Sequence, residues 1–178
     1  QIMKKQHVFA VSGVKNSGKT TLIERLIPLF AAENLSVSVI KHDGHDFVPD
    51  VPDTDSYRLR NAGAQGVAVF SGRRMMIIRQ CGEISERELM RAFPDSDVII
   101  LEGFKYSEYP KIEAVRRDVS DGPVCDPAHL LGIVTDYEPE ELSKEYRHIP
   151  VYGQKETERL AEFFLKNQFF IACSLFIN

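Results

Sequence analysis

The 178-residue sequence is short of cysteine, of basic excess and of long apolar runs, and each shortage removes a class of protein. Cys81, Cys125 and Cys173 form no CxxC pair and no even set, so a disulfide framework is excluded and reduced thiols in a cytoplasmic protein are expected. Lys plus Arg number 22 against 26 Asp plus Glu, a net charge of −4, which gives no basic footprint for duplex nucleic acid. No nucleic-acid partner is expected. The longest apolar stretch, Phe169 to Ile177, is broken by Ser174 and falls short of the roughly 20 residues of a spanning helix. Gln1 to His7 is polar with no apolar h-region behind it, so neither a membrane span nor a secretory leader is expected. Repeats, low-complexity tracts and linkers are missing too. What is there, a chain 43% hydrophobic and long enough to bury about 70% of its unfolded surface, reads as one domain over residues 1–178.

Periodicity gives the order of elements. Val8-Phe9-Ala10-Val11 is a short apolar run ending at Gly13, the pattern of a strand buried on both faces. From Lys19 the spacing of Leu22, Ile23, Leu26, Ile27 and Phe30 predicts a helix to about Glu33, with Asn34 as its stop and Pro28 as a point of kinking or shortening. Val37 to Ile40 predicts a strand, followed by a polar loop from His42 to Asp53. A short helix from Asp55 to Asn61 closes at Gly63. Val67 to Phe70 and Met75 to Ile78, joined at Ser71-Gly72, predict an antiparallel hairpin. Ser85 and Glu88 have capping-box spacing, and Pro94 ends that helix. Val98 to Leu101 is the strongest strand signal. Ile112 to Val115, Leu131 to Val134 and Val151-Tyr152 follow as strands, with helices at Pro139-Glu140-Glu141 and from Thr157 to Lys166. The alternation predicts an α/β fold: a mostly parallel sheet with helices on both faces and an antiparallel β-hairpin insertion.

Gly13-Val14-Lys15-Asn16-Ser17-Gly18-Lys19-Thr20 matches the phosphate loop GxxxxGK[ST] at each fixed position, between a buried strand and a helix as the chemistry requires. The glycines let the backbone curl round a phosphate while successive N–H groups and the helix dipole face the anion. Gly13, Lys15, Asn16, Ser17, Gly18, Lys19, Thr20 and Thr21 are the candidate nucleotide-binding stretch. Lys19 would reach the β and γ phosphates, and the Thr20 hydroxyl would hold Mg²⁺. A carboxylate must face such a loop. Glu102 supplies it, because it ends the strand Val98 to Leu101 and only strand C-terminal ends face the crevice of a parallel sheet. Asp97, at the opening end of that strand, reads as a turn residue. Glu102 stands either as a Mg²⁺ ligand, directly or through water, or as the group that positions the attacking water.

Lys41 and His42 follow the second strand on the same edge. With His45 and nearby acids, His42 could ligate a metal, contact substrate, or do neither. Asp55 and Arg58, one helical turn apart, could face the phosphates or simply cap their helix. An Asn-Lys-x-Asp guanine motif is missing, and Asp136 after Ile133-Val134-Thr135 is left as the candidate reader of the guanine N1 and N2 hydrogens or as a turn residue. Motif chemistry alone therefore leaves ATP and GTP open.

The set Gly13 to Thr20, Lys41-His42 with His45, Asp55-Ser56-Tyr57-Arg58 and Leu101-Glu102-Gly103-Phe104-Lys105 resembles the MobB family, the molybdopterin-guanine dinucleotide biosynthesis adaptors. The likeness runs from about Val8 to Arg117, and more loosely to Asp136. It implies GTP and Mg²⁺ binding with weak GTPase activity, a homodimer, and assistance to a MobA-like guanylyltransferase that attaches GMP to molybdopterin. It also implies that Lys41, His42 and Lys105 line the crevice beside Lys19, Thr20 and Glu102. The family loop often reads Lys-His-x-His-His, whereas here Asp43-Gly44 precedes a single His45. A small-molecule kinase would need an arginine-rich lid, which the Arg73-Arg74 and Arg116-Arg117 pairs do not supply. A nickel-delivering NTPase would use His42 and His45. No arginine finger can be named, which suits slow turnover.

Overall fold

The computed structural model describes residues 6–44, 47–167 and 171–172. In chain order the elements are β1 (His7–Ser12), α1 (Lys19–Ala32), β2 (Val37–Lys41), α2 (Asp55–Asn61), β3 (Gly66–Phe70), β4 (Met75–Arg79), α3 (Glu86–Met90), β5 (Val98–Glu102), β6 (Lys111–Ala114), β7 (Leu130–Thr135), β8 (Val151–Gly153), α4 (Thr157–Asn167) and β9 (Ile171–Ala172). The chain divides into two compact units, one made of the residues up to 42 and from 89 onward, the other of residues 43–88.

The first unit is built on one sheet in the order β2-β5-β1-β6-β7-β8, each neighbouring pair parallel. Side chains alternate across its strands. Phe9, Val11, Val98, Ile100, Ile112 and Val134 face Leu22, Leu26 and Phe30 of α1 and Leu160 and Phe164 of α4. Phe9 and Phe164 stack at 4.2 Å between centroids. Val8, Ala10, Ile40, Ile99 and Leu101 point the other way and meet Met90 of α3. Burial on both sides is why β1 and β5 read as unbroken apolar runs rather than alternating ones.

Pro28 lies inside α1 without ending it, and the helix continues to Ala32. Pro28 is exposed, so its ring and its missing N–H fall on the solvent side, and Asn34, with φ 60°, makes the stop. The helix expected at Pro139 is instead a single 3-10 turn, Pro139–Glu141. It closes early because the Glu141 carboxylate accepts from the Glu138 N–H at 2.8 Å, and Leu142 then turns into a cluster with Tyr146, Ile149, Leu130 and Ile133. The apolar tail over residues 169–178, by sequence an extra strand or a dimer contact, lies mostly outside the described residues, and Ile171–Ala172 within it form the short strand β9. Ile171 and Ala172 pair antiparallel with Val8 and His7, on the stretch of β1 that precedes its pairing with β6 at Ala10.

The second unit holds α2 and the hairpin β3-β4. Thr54 caps α2 by accepting from the Tyr57 N–H at 3.4 Å. The hairpin registers Gly66 against Arg79 and Phe70 against Met75, closed by the Ser71 N–H donating to Arg74 O at 2.8 Å. No third strand joins it among the described residues. α3 begins at the expected capping box: the Ser85 N–H donates to Glu88 Oε2 at 3.0 Å and the Glu88 N–H to Ser85 Oγ at 3.3 Å.

Candidate functional site

The loop after β1 is shaped by three residues of positive φ, Gly13 at 134°, Asn16 at 63° and Gly18 at 92°. At Gly13 no other residue fits, because a Cβ would stand 2.3 Å from Ala114 O on β6 and 2.7 Å from Ser17 Oγ. Gly18 occupies the N-cap of α1 and offers no capping side chain, so the first N–H groups of that helix are left for an anion. Lys19 folds over the loop, its Nζ donating to Val14 O at 2.6 Å and to Gly13 O at 3.3 Å. Burial draws the Lys19 ammonium below its ordinary pKa; Glu102 opposes that shift, and Lys41 and Lys105 add to it. Lys15 and Asn16 are exposed at the loop tip. Ser17 Oγ is buried and has no hydrogen-bond partner among the described residues.

Across the loop, Thr20 Oγ1 donates to Glu102 Oε1 at 2.8 Å, and Lys41 Nζ stands 3.5 Å from the same oxygen. Glu102 closes β5 and is buried. Its main chain is held from both sides: the His42 N–H donates to Glu102 O at 3.1 Å, and the next residue, Gly103, donates to Val11 O at 2.9 Å. Ser12 Oγ donates to Gly103 O. The His42 ring meets Phe104 edge-on at 5.6 Å. Lys111 of β6 is wholly buried and donates from Nζ to the carbonyls of Phe104 at 3.4 Å, Lys105 at 3.3 Å and Ser107. Asp97 accepts from Ser36 N at 3.0 Å and Ser36 Oγ at 2.7 Å at the opposite end of β5 from Glu102, away from the loop.

Two cavities continue from the loop along the same sheet edge. The smaller, about 70 Å³, is lined by Ser17, Gly18, Thr21, Arg25, Arg116 and Gln154 among others. The larger, about 770 Å³, lies at the ends of β7 and β8, with Arg116, Asp136, Tyr137, Gln154 and Lys155 in its walls. Asp136 Oδ1 is fixed by the Arg117 N–H at 2.9 Å. The Arg117 guanidinium grips Glu141 at 2.9 and 2.6 Å and lies 4.2 Å from the Tyr137 ring centroid. That grip holds the Glu141 carboxyl well down, to about 2.

Lys19, Thr20, Glu102, Lys41 and His42 thus gather at one edge, with Thr21 and Asp136 along it. Asp55 and Arg58 form an exposed pair at 3.6 Å within the second unit. His45 lies outside the described residues; among the described residues no three His, Cys, Asp or Glu side chains group as metal ligands. Cys125, buried with its thiol pushed up to about 12 by desolvation and Glu113, is inert, and Cys81 is exposed and free. Arg116, weighed from the sequence only within an arginine pair that makes no lid, joins Gln154 and Lys111 as site residues that sequence reasoning missed. For the first two a signal existed: each follows the C-terminal end of a predicted strand, the same rule that selected Glu102. Lys111 carries no such mark, because only its burial distinguishes it from a surface lysine.

A glycine loop between a buried parallel strand and an uncapped helix, facing an acid at the end of the adjacent strand, defines a P-loop NTPase-like α/β protein. The family model described as "Molybdopterin guanine dinucleotide synthesis protein B" matches residues 8–136, and the chain belongs to this MobB family. A Haemophilus influenzae molybdopterin-guanine dinucleotide biosynthesis adapter protein is 34% identical over 134 residues, 73% of this chain and 75% of that protein. An Escherichia coli protein of the same description is 34% identical over 137 residues, 72% of this chain and 78% of that one. The crystal structure of Bacillus subtilis MobB superimposes with a TM-score of 0.71 at 23% identity, covering 89% of this chain and 96% of that one, and shows the shared fold.

Proposed function

We propose that this chain is a GTP-binding adaptor in molybdopterin guanine dinucleotide synthesis. It would hold a nucleotide for a MobA-like guanylyltransferase that joins GMP to molybdopterin, and hydrolyse GTP only weakly itself. The observation that carries the reading is the meeting of Thr20 Oγ1 and Glu102 Oε1 at 2.8 Å beside Lys19. Two hard oxygen donors converge there next to an ammonium whose hydrogen bonds go to loop carbonyls, and this donor set fits Mg²⁺ carried by a nucleotide triphosphate. The bound ion would supply charge neutralisation at the phosphate oxygens. The chain's own part is to surround the phosphates with the N–H groups of residues 13–21, to reach them with Lys19, and to keep Glu102 where it can orient water.

The 770 Å³ cavity is roomy enough for a nucleobase and ribose, and Asp136 in its wall offers acceptors matched to the N1 and N2 hydrogens of guanine. Membership of the MobB family and names such as adapter protein among its relatives favour this reading over a small-molecule kinase or a nickel-delivering NTPase. A homodimer formed through the second unit, and a cytoplasmic location, complete it. Isothermal calorimetry on the full chain tests it directly. GTP with Mg²⁺ should bind, Lys19→Ala should abolish that binding while thermal unfolding stays cooperative, and GTP should out-compete ATP. Unchanged affinity in the variant would refute the phosphate-loop assignment, and a tenfold preference for ATP would remove Asp136 as the base reader.

A further inference from the structure

Among the described residues, two arginines at the small cavity have no acid within ion-pair distance. The Arg116 guanidinium makes one hydrogen bond, to Gln154 Oε1 at 3.4 Å, and Arg25 donates to the Gln154 main-chain O at 2.7 Å. Neither forms an ion pair among the described residues, whereas Arg117 is paired with Glu141 and Arg159 with Glu156. Arg116 also lies beside the phosphate loop: a Cβ built on Gly18 would stand 3.8 Å from Arg116 Cδ, and both residues line the small cavity. The same residue lines both the cavity against Ser17, Gly18 and Thr21 and the larger one against Asp136. It therefore stands at the junction of the two.

A nucleotide laid from the loop into the large cavity has one charged group at that junction. Its β and γ phosphates belong to the loop amides, Lys19 and Thr20, and its base to the wall carrying Asp136. The phosphate that joins these two parts is the α phosphate. We propose that Arg116 is the α-phosphate anchor of this site, with Gln154 holding its guanidinium in place and Arg25 supplying a second positive charge beside it. An arginine suits the position, since its planar fork can grip a non-bridging α-phosphate oxygen and the Gln154 amide oxygen together. This rests on the nucleotide reading above and adds a division of labour: Lys19 senses the chain of phosphates beyond the first, and Arg116 the first.

The test is a ligand ladder on the full chain, with guanosine, GMP, GDP and GTP in Mg²⁺, read by calorimetry or, for the weaker ligands, by displacement of a fluorescent GDP. Arg116→Ala should weaken GMP, GDP and GTP alike, by about tenfold to a hundredfold, and leave guanosine unchanged. Arg116→Lys, which retains the charge, should recover part of the loss and guards against a folding artefact, as does an unchanged thermal midpoint. Lys19→Ala should show the complementary pattern, losing GTP and GDP while retaining GMP. A loss confined to GTP would overturn the proposal by placing Arg116 beyond the α phosphate, and so would an equal loss for guanosine or no loss at all. If the unaltered chain binds GTP and Lys19→Ala does not, yet Arg116→Ala is silent, the anchor fails and the nucleotide site stands. If the unaltered chain binds none of the four, both fail.

Discussion

Thr20 and Glu102 stand 82 residues apart in the chain and 2.8 Å apart in space, and the buried position of Glu102 makes its charge count. Changing Glu102 to Gln retains an oxygen for Thr20 but removes the charge that Lys41 faces. Single-turnover hydrolysis should slow by about tenfold or more while the GTP Kd moves by less than about threefold. Equal losses in rate and affinity would make Glu102 a structural residue. This pair was legible in the sequence because a phosphate loop demands an acid on the neighbouring strand and only strand ends face the crevice. The Lys111 ammonium was not legible, since its role depends on three carbonyls from a loop whose path no local pattern encodes.

At the scale of elements, the strands and main helices were readable from apolar period, Gly and Pro, and the hairpin from the Ser71-Gly72 turn between two β-rich runs. Pro28 leaves α1 running to Ala32, close to the predicted end at Glu33, because on the solvent face the carbonyl it leaves unpaired can reach water. The helix expected at Pro139 stops after one 3-10 turn because Glu141 closes a capping box on Glu138 and is held there by Arg117, a partner 24 residues away that no local pattern names. That turn walls the large cavity, and its clamp has a pH signature. The carboxyl of Glu141 lies near 2 in the fold against an ordinary 4.5, so its contribution to stability is complete above about pH 4.5 and is lost as pH falls toward 2. Thermal unfolding followed from pH 6 down to about 2 should therefore show a gap between the unaltered chain and Glu141→Gln that closes through this window. A gap that stays constant with pH would show the clamp contributes nothing.

For the molecule as a whole, the second unit leaves large apolar side chains open to solvent: Phe70 is 81% exposed and Met75 72%. These two side chains are directly opposite in the hairpin. Replacing them as Phe70→Glu with Met75→Lys keeps a favourable cross-strand pair while removing the apolar patch. Sedimentation velocity at micromolar concentration should show a dimer for the unaltered chain and a monomer for the double variant, with GTP affinity retained. A variant that sediments as before would place the interface elsewhere. None of this surface was legible beforehand, because a run such as Met75-Met76-Ile77-Ile78 looks the same in a sequence whether it lines a core or faces water.

The Lys111 side chain, buried beneath the loop, ties the carbonyls of Phe104, Lys105 and Ser107 to one point. Anchoring at three carbonyls limits how far the segment that presents Lys105 can move. A ligand settling beside Lys105 would therefore lose less affinity to the ordering of that segment than it would on an untethered loop.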